Sequence, residues 1–475
     1  MIWAIRLVAL CMVLGGWSFQ ALAESDRIGF GQRGLSVLDN EELAEYLLYR
    51  LPDTGAVRRA FSLVGDPGFQ RSDLNPEARI WYDRFWAAVE REQTGDNPKY
   101  DATSHARSDN TYNYGRQLNQ YMTMLLAALR ATGDLSILDE VDRLAQLMRA
   151  ELGDYWCDGS NFSDGFLNWR VRRRTCTDDD TLEESLAHGN VAAFAYAFHV
   201  NRDKPSPAGV DYAERADFWL DYLKNHFEEK WRQGTGGRRA SGAWPNFPIA
   251  YKNHTHPEMH ELRFYYYMWK MTGLTPYRDW AQRRMDLWLD TQRVMGEEPG
   301  GFMAVPASYG DPSLSGEAFV YTHRNPNERW REGNCAFTTE YGQKATYMRY
   351  NIAGIVDLHM EGFYRWDQSF VEKHGNGVAA FLIDEKSPGS FGPGPNGEVV
   401  IEHDGWTMEA NCNGRLSRDR FHTSTYGLPL AFMQAGPART KLNDMLMTVY
   451  DMEERDPDRP RSIFTPVTML LAVVH

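Results

Sequence analysis

The chain repeats one structural unit, a pair of helices separated by a short polar break, at a nearly constant interval. In the first pair, apolar residues recur at helical spacing over 118–129, and a second apolar-periodic run covers 137–148. Thr132-Gly133-Asp134 separates the two runs. Equivalent breaks fall near Asn201 and Thr272, at intervals of 69 residues (132 to 201) and 71 residues (201 to 272). A repeat of this length predicts an array of helix pairs that bury their apolar faces against one another.

The later pairs extend this pattern over most of the chain. They are predicted at 191–198 with 213–227, at 259–269 with 277–294, and at 338–357 with 361–373. One helix of each pair is rich in small and aromatic residues and the other is more clearly amphipathic, which suits an inner and an outer ring. Long loops, which are usually functional in a compact domain, fall at 155–180, 233–257 and 296–337. We therefore predict an all-α fold, an incomplete (α/α) toroid or barrel of helical hairpins, with an α-solenoid or a helical bundle as the alternative.

One segment, 378–415, departs from the helical pattern. Its apolar triplets Phe381-Leu382-Ile383 and Val399-Val400-Ile401 are separated by a stretch rich in proline and glycine. This pattern predicts a small β-hairpin insertion near the C-terminus rather than a second domain. With 43% hydrophobic residues the chain can bury a large core, so we predict a single toroid domain over residues 24–475.

The first 23 residues have the pattern of a cleaved secretory signal peptide. A single basic residue, Arg6, precedes the apolar run 7–15, and Ala21-Leu22-Ala23 forms an A-x-A-like end before polar residues. The apolar run is too short to span a bilayer, although a lone membrane anchor is the alternative. We therefore predict a periplasmic or secreted protein that has no membrane association after cleavage.

Four cysteines remain once Cys11 is removed with the signal, and an even number in an exported protein predicts disulfides. Sequence alone permits three pairings, of which the simplest joins Cys157 to Cys176 and Cys335 to Cys412. A zinc site made of four thiolates is disfavoured, because no two of these cysteines form a C-x2-C pair.

The charge of the chain excludes one class of partner and leaves another open. The formal net charge is -14, and loss of Arg6 makes it -15. Nucleic acid is therefore not an expected partner. A polyanionic sugar is not excluded, because a local cleft field can oppose the global charge, and basic clusters occur at 170–174 and at Arg238-Arg239. The sequence has neither a glycine-rich phosphate loop nor a dinucleotide fingerprint, so no cofactor is predicted.

The segment Asn253-His254-Thr255-His256, followed by the aromatic run 264–267, carries the clearest chemical signal. Removing the C5 proton of a uronic acid needs a group that neutralises the carboxylate, a base near C5, and an acid for the leaving oxygen at C4. Asn253 and His254 offer an amide and an imidazole at the mouth of the third pair. Asn190 offers a second amide in the second pair. If the inner helices begin at the same rim, both amides face one cleft.

An exported α/α toroid with an Asn-His pair entering an inner helix, and a tyrosine about one hairpin later, resembles the toroid polysaccharide lyases that act on alginate and glucuronan. Those alginate lyases have Asn-Asn-His where this chain has Lys252-Asn253-His254, so two positions match. The resemblance implies that Asn253 or Asn190 neutralises the carboxylate and that His254 is the base. It implies further that Tyr309 is the acid, with Tyr321 in reserve. The family's arginine just before that tyrosine is missing here, and Arg324 is the nearest substitute.

Two other interpretations involve His256. Its spacing to Tyr265 is similar to the His and Tyr pair of chondroitin and hyaluronan lyases, but nine residues on a helix place two side chains on different faces, which favours core packing for Tyr265. His256 and His260 share a helical face, yet the glutamate of a zincin H-E-x-x-H motif is misplaced, so no metal site is predicted.

These observations predict a polysaccharide lyase that cleaves a uronic-acid polymer by β-elimination, with an anionic polysaccharide as partner and an unknown oligomeric state. The alternatives are a toroid glycoside hydrolase that uses paired carboxylates, or a non-catalytic glycan-binding protein. The carboxylates available to a hydrolase are Asp109, Asp178, Asp179, Asp180, Glu183, Glu184 and Glu340.

Overall fold

Helices make up most of the regular structure. A computed structural model describes residues 61–93, 101–154, 165–169, 181–230, 255–289, 302–309, 311–321, 330–331, 338–339, 345–363, 368–381, 400–404, 413–417, 425–455 and 462–474. All of them lie in one compact unit that covers residues 55–475. The α-helices are α1 (Pro76–Gln93), α2 (Ala102–Ala106), α3 (Thr111–Asn113), α4 (Asn119–Thr132), α5 (Leu135–Ala150), α6 (Thr181–Val200), α7 (Tyr212–Asp221), α8 (Thr255–Thr272), α9 (Thr275–Leu289), α10 (Ala345–Met360), α11 (Gln368–Phe381), α12 (Pro437–Arg455) and α13 (Phe464–Val474).

Tighter and wider helical turns accompany these helices. π-helical turns, Tyr114–Leu118 and Tyr222–Glu228, lead into α4 and continue α7, and a buried 3-10 helix covers Thr425–Phe432. Shorter 3-10 turns occur at Arg71–Asp73 and Ala307–Tyr309. No helix of the described residues is long and apolar enough to cross a bilayer.

The break between α4 and α5 shows why the predicted helix pairs form where they do. Gly133 adopts a left-handed conformation, with φ of 73°, and its N–H donates to the Leu129 carbonyl at 2.7 Å. This is a typical helix C-terminus. Asp134 then caps α5, since its carboxylate accepts from the Ser136 N–H at 2.9 Å. The Thr132-Gly133-Asp134 break is therefore confirmed.

The helices close into a ring of inner helices surrounded by outer ones. The inner elements α4, α6, α8, α10, the 3-10 helix 425–432 and α13 each pack on the next, and α13 packs back on α4. On the outside, α5 covers α4, α7 covers α6, α9 covers α8, α11 and α12 flank the 3-10 helix, and α1 covers α13. The predicted all-α toroid is confirmed. The first outer helix, α1, forms a pair with the last inner helix, α13, and this pair completes the ring.

Neighbouring inner helices approach closely at glycines. A Cβ on Gly189 would lie 2.3 Å from the carbonyl oxygen of His260, so α6 and α8 can meet at this distance only with glycine there. A Cβ on Gly115 would likewise lie 2.6 Å from the Glu183 carbonyl oxygen, between the turn before α4 and the start of α6. Both contacts are against backbone atoms, which cannot swing aside as a flexible side chain can.

The inner helices run in the same direction. Near their starts, the Asn119 amide of α4 contacts Leu186 of α6 at 2.6 Å and His260 of α8 at 3.3 Å. Further along, Arg130 of α4 contacts Tyr267 of α8 and Asp357 of α10, each at 3.0 Å. Later residues of one helix therefore meet later residues of the next. All of these helices begin at the same end of the ring, which we call the amino-terminal rim.

The opposite end of the ring is sealed by the segment 61–68. The Phe61 carbonyl accepts from the guanidinium of Arg130 at 2.9 Å. Asn201, which is fully buried, donates to the Leu63 carbonyl and accepts from the Gly65 N–H, both at 2.7 Å. Residues 61–68 therefore cover the end of the ring that is opposite the amino-terminal rim.

The short strands form hairpins and not a central sheet. β1 (Phe302–Pro306) pairs with β2 (Glu317–Tyr321), β3 (Trp330–Arg331) with β4 (Thr338–Thr339), and β5 (Val400–Asp404) with β6 (Asn413–Ser417), all antiparallel. A β-hairpin is thus present near the C-terminus, but its strands are β5 and β6. Phe381 instead ends α11, where Val378 and its neighbours are buried; a short apolar run has no periodicity that separates strand from helix. The fourth pair also begins later than predicted, since Thr338 is in β4.

Several predictions fall outside the described residues. They concern the signal peptide at 1–23, the domain boundary at residue 24, and all four cysteines of the predicted disulfides.

Candidate functional site

A column of polar side chains on α8 runs along the axis of the ring. His256, His260, Arg263 and Tyr267 are spaced at i, i+4, i+7 and i+11, so they share one face of the helix. Each is at most 1% exposed. We call this set the axial column. It meets polar side chains of α4 and α10 at two levels.

The inner level is a charge-balanced ion network. Asp357 accepts from Arg130 at 3.0 Å and from the Nε of Arg263 at 2.9 Å, and Glu361 also pairs with Arg130. Burial alone would raise the pKa of Asp357, but the two guanidinium groups hold it below its usual value. Two arginines thus face two carboxylates, and a network whose groups are all paired is structural in character.

His260, at the next level, is held in one tautomer. Its Nδ1 lies 3.3 Å from the amide nitrogen of Asn119 and 3.3 Å from Nη1 of Arg263. The Asn119 nitrogen also donates to the Leu186 carbonyl, which identifies it as the amide NH2. Because both neighbours are donors, Nδ1 is the acceptor and Nε2 carries the proton. Burial, and then the charge of Arg263, lower the pKa of His260 well below its usual value, so the ring is neutral.

Tyr350 of α10 connects the axial column to the rim. Its ring stacks on His256 at 6.0 Å and meets His260 edge-on at 6.3 Å. Its hydroxyl donates to the Arg116 carbonyl at 3.3 Å and accepts from Nη2 of Arg349 at 2.8 Å. Imidazole groups of α8 and the phenol and guanidinium groups of α10 therefore converge where these two helices begin.

An acidic group lies at the same rim on α6. Oε1 of Glu183 accepts from both Nε (2.9 Å) and Nη2 (2.8 Å) of Arg116, with 10% of the glutamate side chain exposed. The Arg116 guanidinium in turn lies 5.3 Å from the ring centre of Tyr112, which is half-buried. The same arginine thus holds the glutamate and lies over the aromatic ring of Tyr112.

Asp109, a second acidic residue near α6, has a left-handed backbone conformation. Its φ of 57° is positive, which among the described residues occurs at no other non-glycine position. Such strain persists only where the surroundings impose it, and it is concentrated at functional sites. Asn110 follows at once and caps α3, which packs against α6.

Glu184 differs from its neighbour Glu183. It is 1% exposed, and its carboxylate accepts from the Asn168 amide at 3.1 Å. The same asparagine accepts from the Tyr222 hydroxyl at 3.3 Å, and that hydroxyl lies 2.8 Å from Nε2 of His188. This cluster fastens residues 165–169 between an inner and an outer helix, so Glu184 has a structural role.

The residues predicted from the sequence are placed in different parts of the molecule. Asn253, His254 and Arg324 lie outside the described residues. Asn190 lies in the middle of α6, 1% exposed, and its amide oxygen makes no hydrogen bond within the described ranges. His256 belongs to the axial column.

The predicted tyrosines belong to different elements: Tyr309 and Tyr321 to the β1–β2 hairpin, and Tyr265 to α8. Tyr309 ends the turn after β1 and Tyr321 ends β2, and this hairpin packs on the outer helix α11. Tyr265 packs against Trp280 of α9 at 4.2 Å, as its predicted core role requires.

Sequence reasoning missed Arg116, Arg263, Arg349 and Tyr350. The i+7 spacing of Arg263 from His256 was available as a signal, since it continues the stripe of His256 and His260. No comparable signal marks Arg349 and Tyr350, because their importance depends on which helices become neighbours.

No known family model and no curated protein matches the chain. Among solved structures, it is similar to an inactive variant of the α-1,6-mannanase GH76A of Salegentibacter sp. HEL1_6 in complex with α-1,6-mannotetrose. That match has a TM-score of 0.37 and 12% identity, and covers 82% of this chain and 98% of the other. A second inactive variant of the same enzyme, with α-1,6-mannotriose, has a TM-score of 0.34 and 11% identity, and covers 78% and 97%.

These similar structures are of glycoside hydrolases, and the prediction that the chain is a polysaccharide lyase is corrected accordingly. The roles predicted for the individual site residues remain predictions. Asn190 is enclosed in α6, and the hairpin that contains Tyr309 and Tyr321 packs on the outer helix α11.

Proposed function

We propose that the protein is a glycoside hydrolase that cleaves a polysaccharide at the amino-terminal rim of the ring. One observation carries the proposal: Glu183 lies at the amino-terminal rim, and Arg116, which holds it, also lies over the half-buried ring of Tyr112. A positioned carboxylate next to an aromatic face is the combination that glycoside hydrolysis uses, since the ring of a sugar packs on the aromatic side chain.

Hydrolysis needs two carboxyl groups, one on each side of the scissile bond. Glu183, which Arg116 holds in place through two hydrogen bonds, is proposed as the nucleophile or the base. The acid that protonates the leaving oxygen is Asp109 or a member of the run Asp178-Asp179-Asp180, which directly precedes α6. The separation of the two groups then decides between retention and inversion at the anomeric carbon.

The prediction of export belongs to the same proposal. A polysaccharide is too large to enter a cell intact, so an enzyme that cleaves it acts in the periplasm or outside the cell. Removal of residues 1–23 and oxidation of the four remaining cysteines are consistent with that location.

The decisive experiment incubates the purified protein with a panel of neutral and acidic polysaccharides in water enriched in oxygen-18. Hydrolysis places one heavy oxygen in each new pair of chain ends, which mass spectrometry detects. Elimination incorporates no water and gives an unsaturated end that absorbs ultraviolet light. New ends without heavy oxygen would refute the proposal, and binding without new ends would identify a glycan-binding protein.

Substitutions connect this activity to the rim. Glu183→Gln is expected to lower kcat by about a hundredfold or more, since that is the usual contribution of a catalytic acid or base. Glu214→Gln is the matched control, because Glu214 also pairs with arginine but lies on the outer helix α7. Equal activity of both variants would remove Glu183 from the mechanism.

A further inference from the structure

The arginines of the inner ring differ in whether a carboxylate compensates their charge. Arg130 and Arg263 pair with Asp357, and Arg116, just before α4, pairs with Glu183. Arg349 of α10 has no carboxylate partner among the described residues. A partly buried cation without a counter-ion is costly, because burial removes water that would otherwise stabilise the charge.

The guanidinium of Arg349 has an N–H group without an acceptor among the described residues. Nη2 donates to the Tyr350 hydroxyl at 2.8 Å, and the guanidinium carbon lies 4.8 Å from the centre of that ring. Nε is buried and makes no hydrogen bond to any residue that the structure describes. The side chain as a whole is half-buried, so solvent reaches part of it. Tyr350 thus supports the guanidinium while one of its N–H groups stays unused.

A second unused donor belongs to Gln120, whose side chain is linked to the backbone of Arg349. Thr425 connects the two residues, since its hydroxyl contacts both the Gln120 amide oxygen (2.9 Å) and the Arg349 carbonyl (2.5 Å). The Thr425 N–H also donates to the Gln120 oxygen, at 3.4 Å. Both contacts therefore use the oxygen of the Gln120 amide and not its nitrogen. That nitrogen is buried and makes no hydrogen bond in the described part of the chain.

From these contacts we infer that Arg349, assisted by Gln120, binds an acidic substituent of the glycan, a carboxylate, sulfate or phosphate group. Unused donors, one of them charged, match an acceptor-only anion better than a hydroxyl, and guanidinium binds planar or tetrahedral oxyanions with charge-assisted hydrogen bonds. The negative charge of Glu183 does not prevent an anion from binding at the rim, because Arg116 neutralises that charge. The inference rests on the proposed function, since it requires a glycan at the rim.

The test compares ligands that differ only in charge. Binding of a hexuronate tetrasaccharide and of its carboxyl-reduced form to the full-length protein is measured by calorimetry, with sulfated and phosphorylated hexose tetrasaccharides identifying which anion is preferred. The acidic ligand is expected to bind about tenfold or more tightly, since hydrogen bonds to charged groups are the stronger class. Arg349→Met is expected to abolish this preference without weakening the carboxyl-reduced ligand, and Arg349→Lys to retain part of it.

Arg149→Met is the matched control, because Arg149 lies on the outer helix α5 and pairs with Glu214. It is expected to leave the preference unchanged. Equal binding of every acidic ligand and its neutral counterpart, or a preference that survives Arg349→Met, overturns the inference. Because binding is measured apart from cleavage, an acidic ligand bound through Arg349 but never hydrolysed would refute the proposed hydrolase alone. Hydrolysis of neutral polymers without any acidic preference would refute this inference alone.

Discussion

Asp357→Asn is expected to destabilise the fold strongly, because Asp357 compensates two buried arginines. Its side chain is 2% exposed and those of Arg130 and Arg263 are both 0% exposed. The amide keeps the shape but removes the negative charge. Glu361 still faces Arg130, so Arg263 is left as an uncompensated buried cation. Breaking a buried pair in this way costs about 3–5 kcal/mol.

The measurement is the free energy of unfolding in urea at neutral pH, for wild type and two variants. Asp217→Asn is the matched control, since it removes the same charge from a pair with Arg202 whose side chains are 67% and 43% exposed. Such surface pairs contribute only about 0–1 kcal/mol. If the two substitutions lower the free energy of unfolding by the same amount, the axial ion network does not stabilise the ring and the reasoning is wrong.

The wild type should also lose this stability in acid. The folded pKa of Asp357 is lowered, chiefly because Arg263 and Arg130 outweigh the effect of burial. The contribution is therefore present above the unfolded pKa and is lost as pH falls toward the folded one. Asp357→Asn should show a smaller loss over the same range.

Three further outcomes are expected. Burial would raise the pKa of Asp311, but hydrogen bonds and the charge of Lys441 lower it to about 2. Asp311→Asn should therefore reduce the free energy of unfolding in urea by about 2 kcal/mol at pH 7, and the reduction should disappear below pH 2. Gly189→Ala should lower the unfolding free energy by about 1–3 kcal/mol or more, because its Cβ would overlap a backbone carbonyl of α8; an unchanged value would mean that the helices separate easily. Burial lowers the pKa of His374 to about 3, so protonation of the unfolded chain should reduce stability as pH falls below about 6.5. His374→Phe should weaken that acid dependence in a pH series of thermal melts, and an identical dependence would show that His374 is not its source.

Local sequence patterns identified the helix pairs well, because a helix and its end depend on residues within a few positions. Gly133 and Asp134 illustrate this, since each acts through a neighbour no more than four residues away. The same reasoning paired the strand at Val400 with the apolar triplet at Phe381, whereas its partner in the structure is β6, later in the chain. Local patterns do not specify which of two nearby segments a strand pairs with. It also placed Thr338 in a helix that begins at Ala345.

The candidate site was predictable only in part. His256 was recognised because it stands in an unusual local cluster of imidazoles. Arg349 and Tyr350 are not part of any unusual local cluster in the sequence. Glu183, the carboxylate on which the proposed function rests, was one of several equivalent candidates.

Periodicity along the chain determined that this protein consists of paired helices, since amphipathic spacing depends only on the residues of each helix. Closure of the ring decided which polar groups meet, and no local pattern contains that information. Arg130 and Asp357 are 227 positions apart and still form a buried ion pair. The guanidinium of Arg349, which has no carboxylate partner among the described residues, likewise became a feature only when folding enclosed it and gave the other inner arginines their carboxylates.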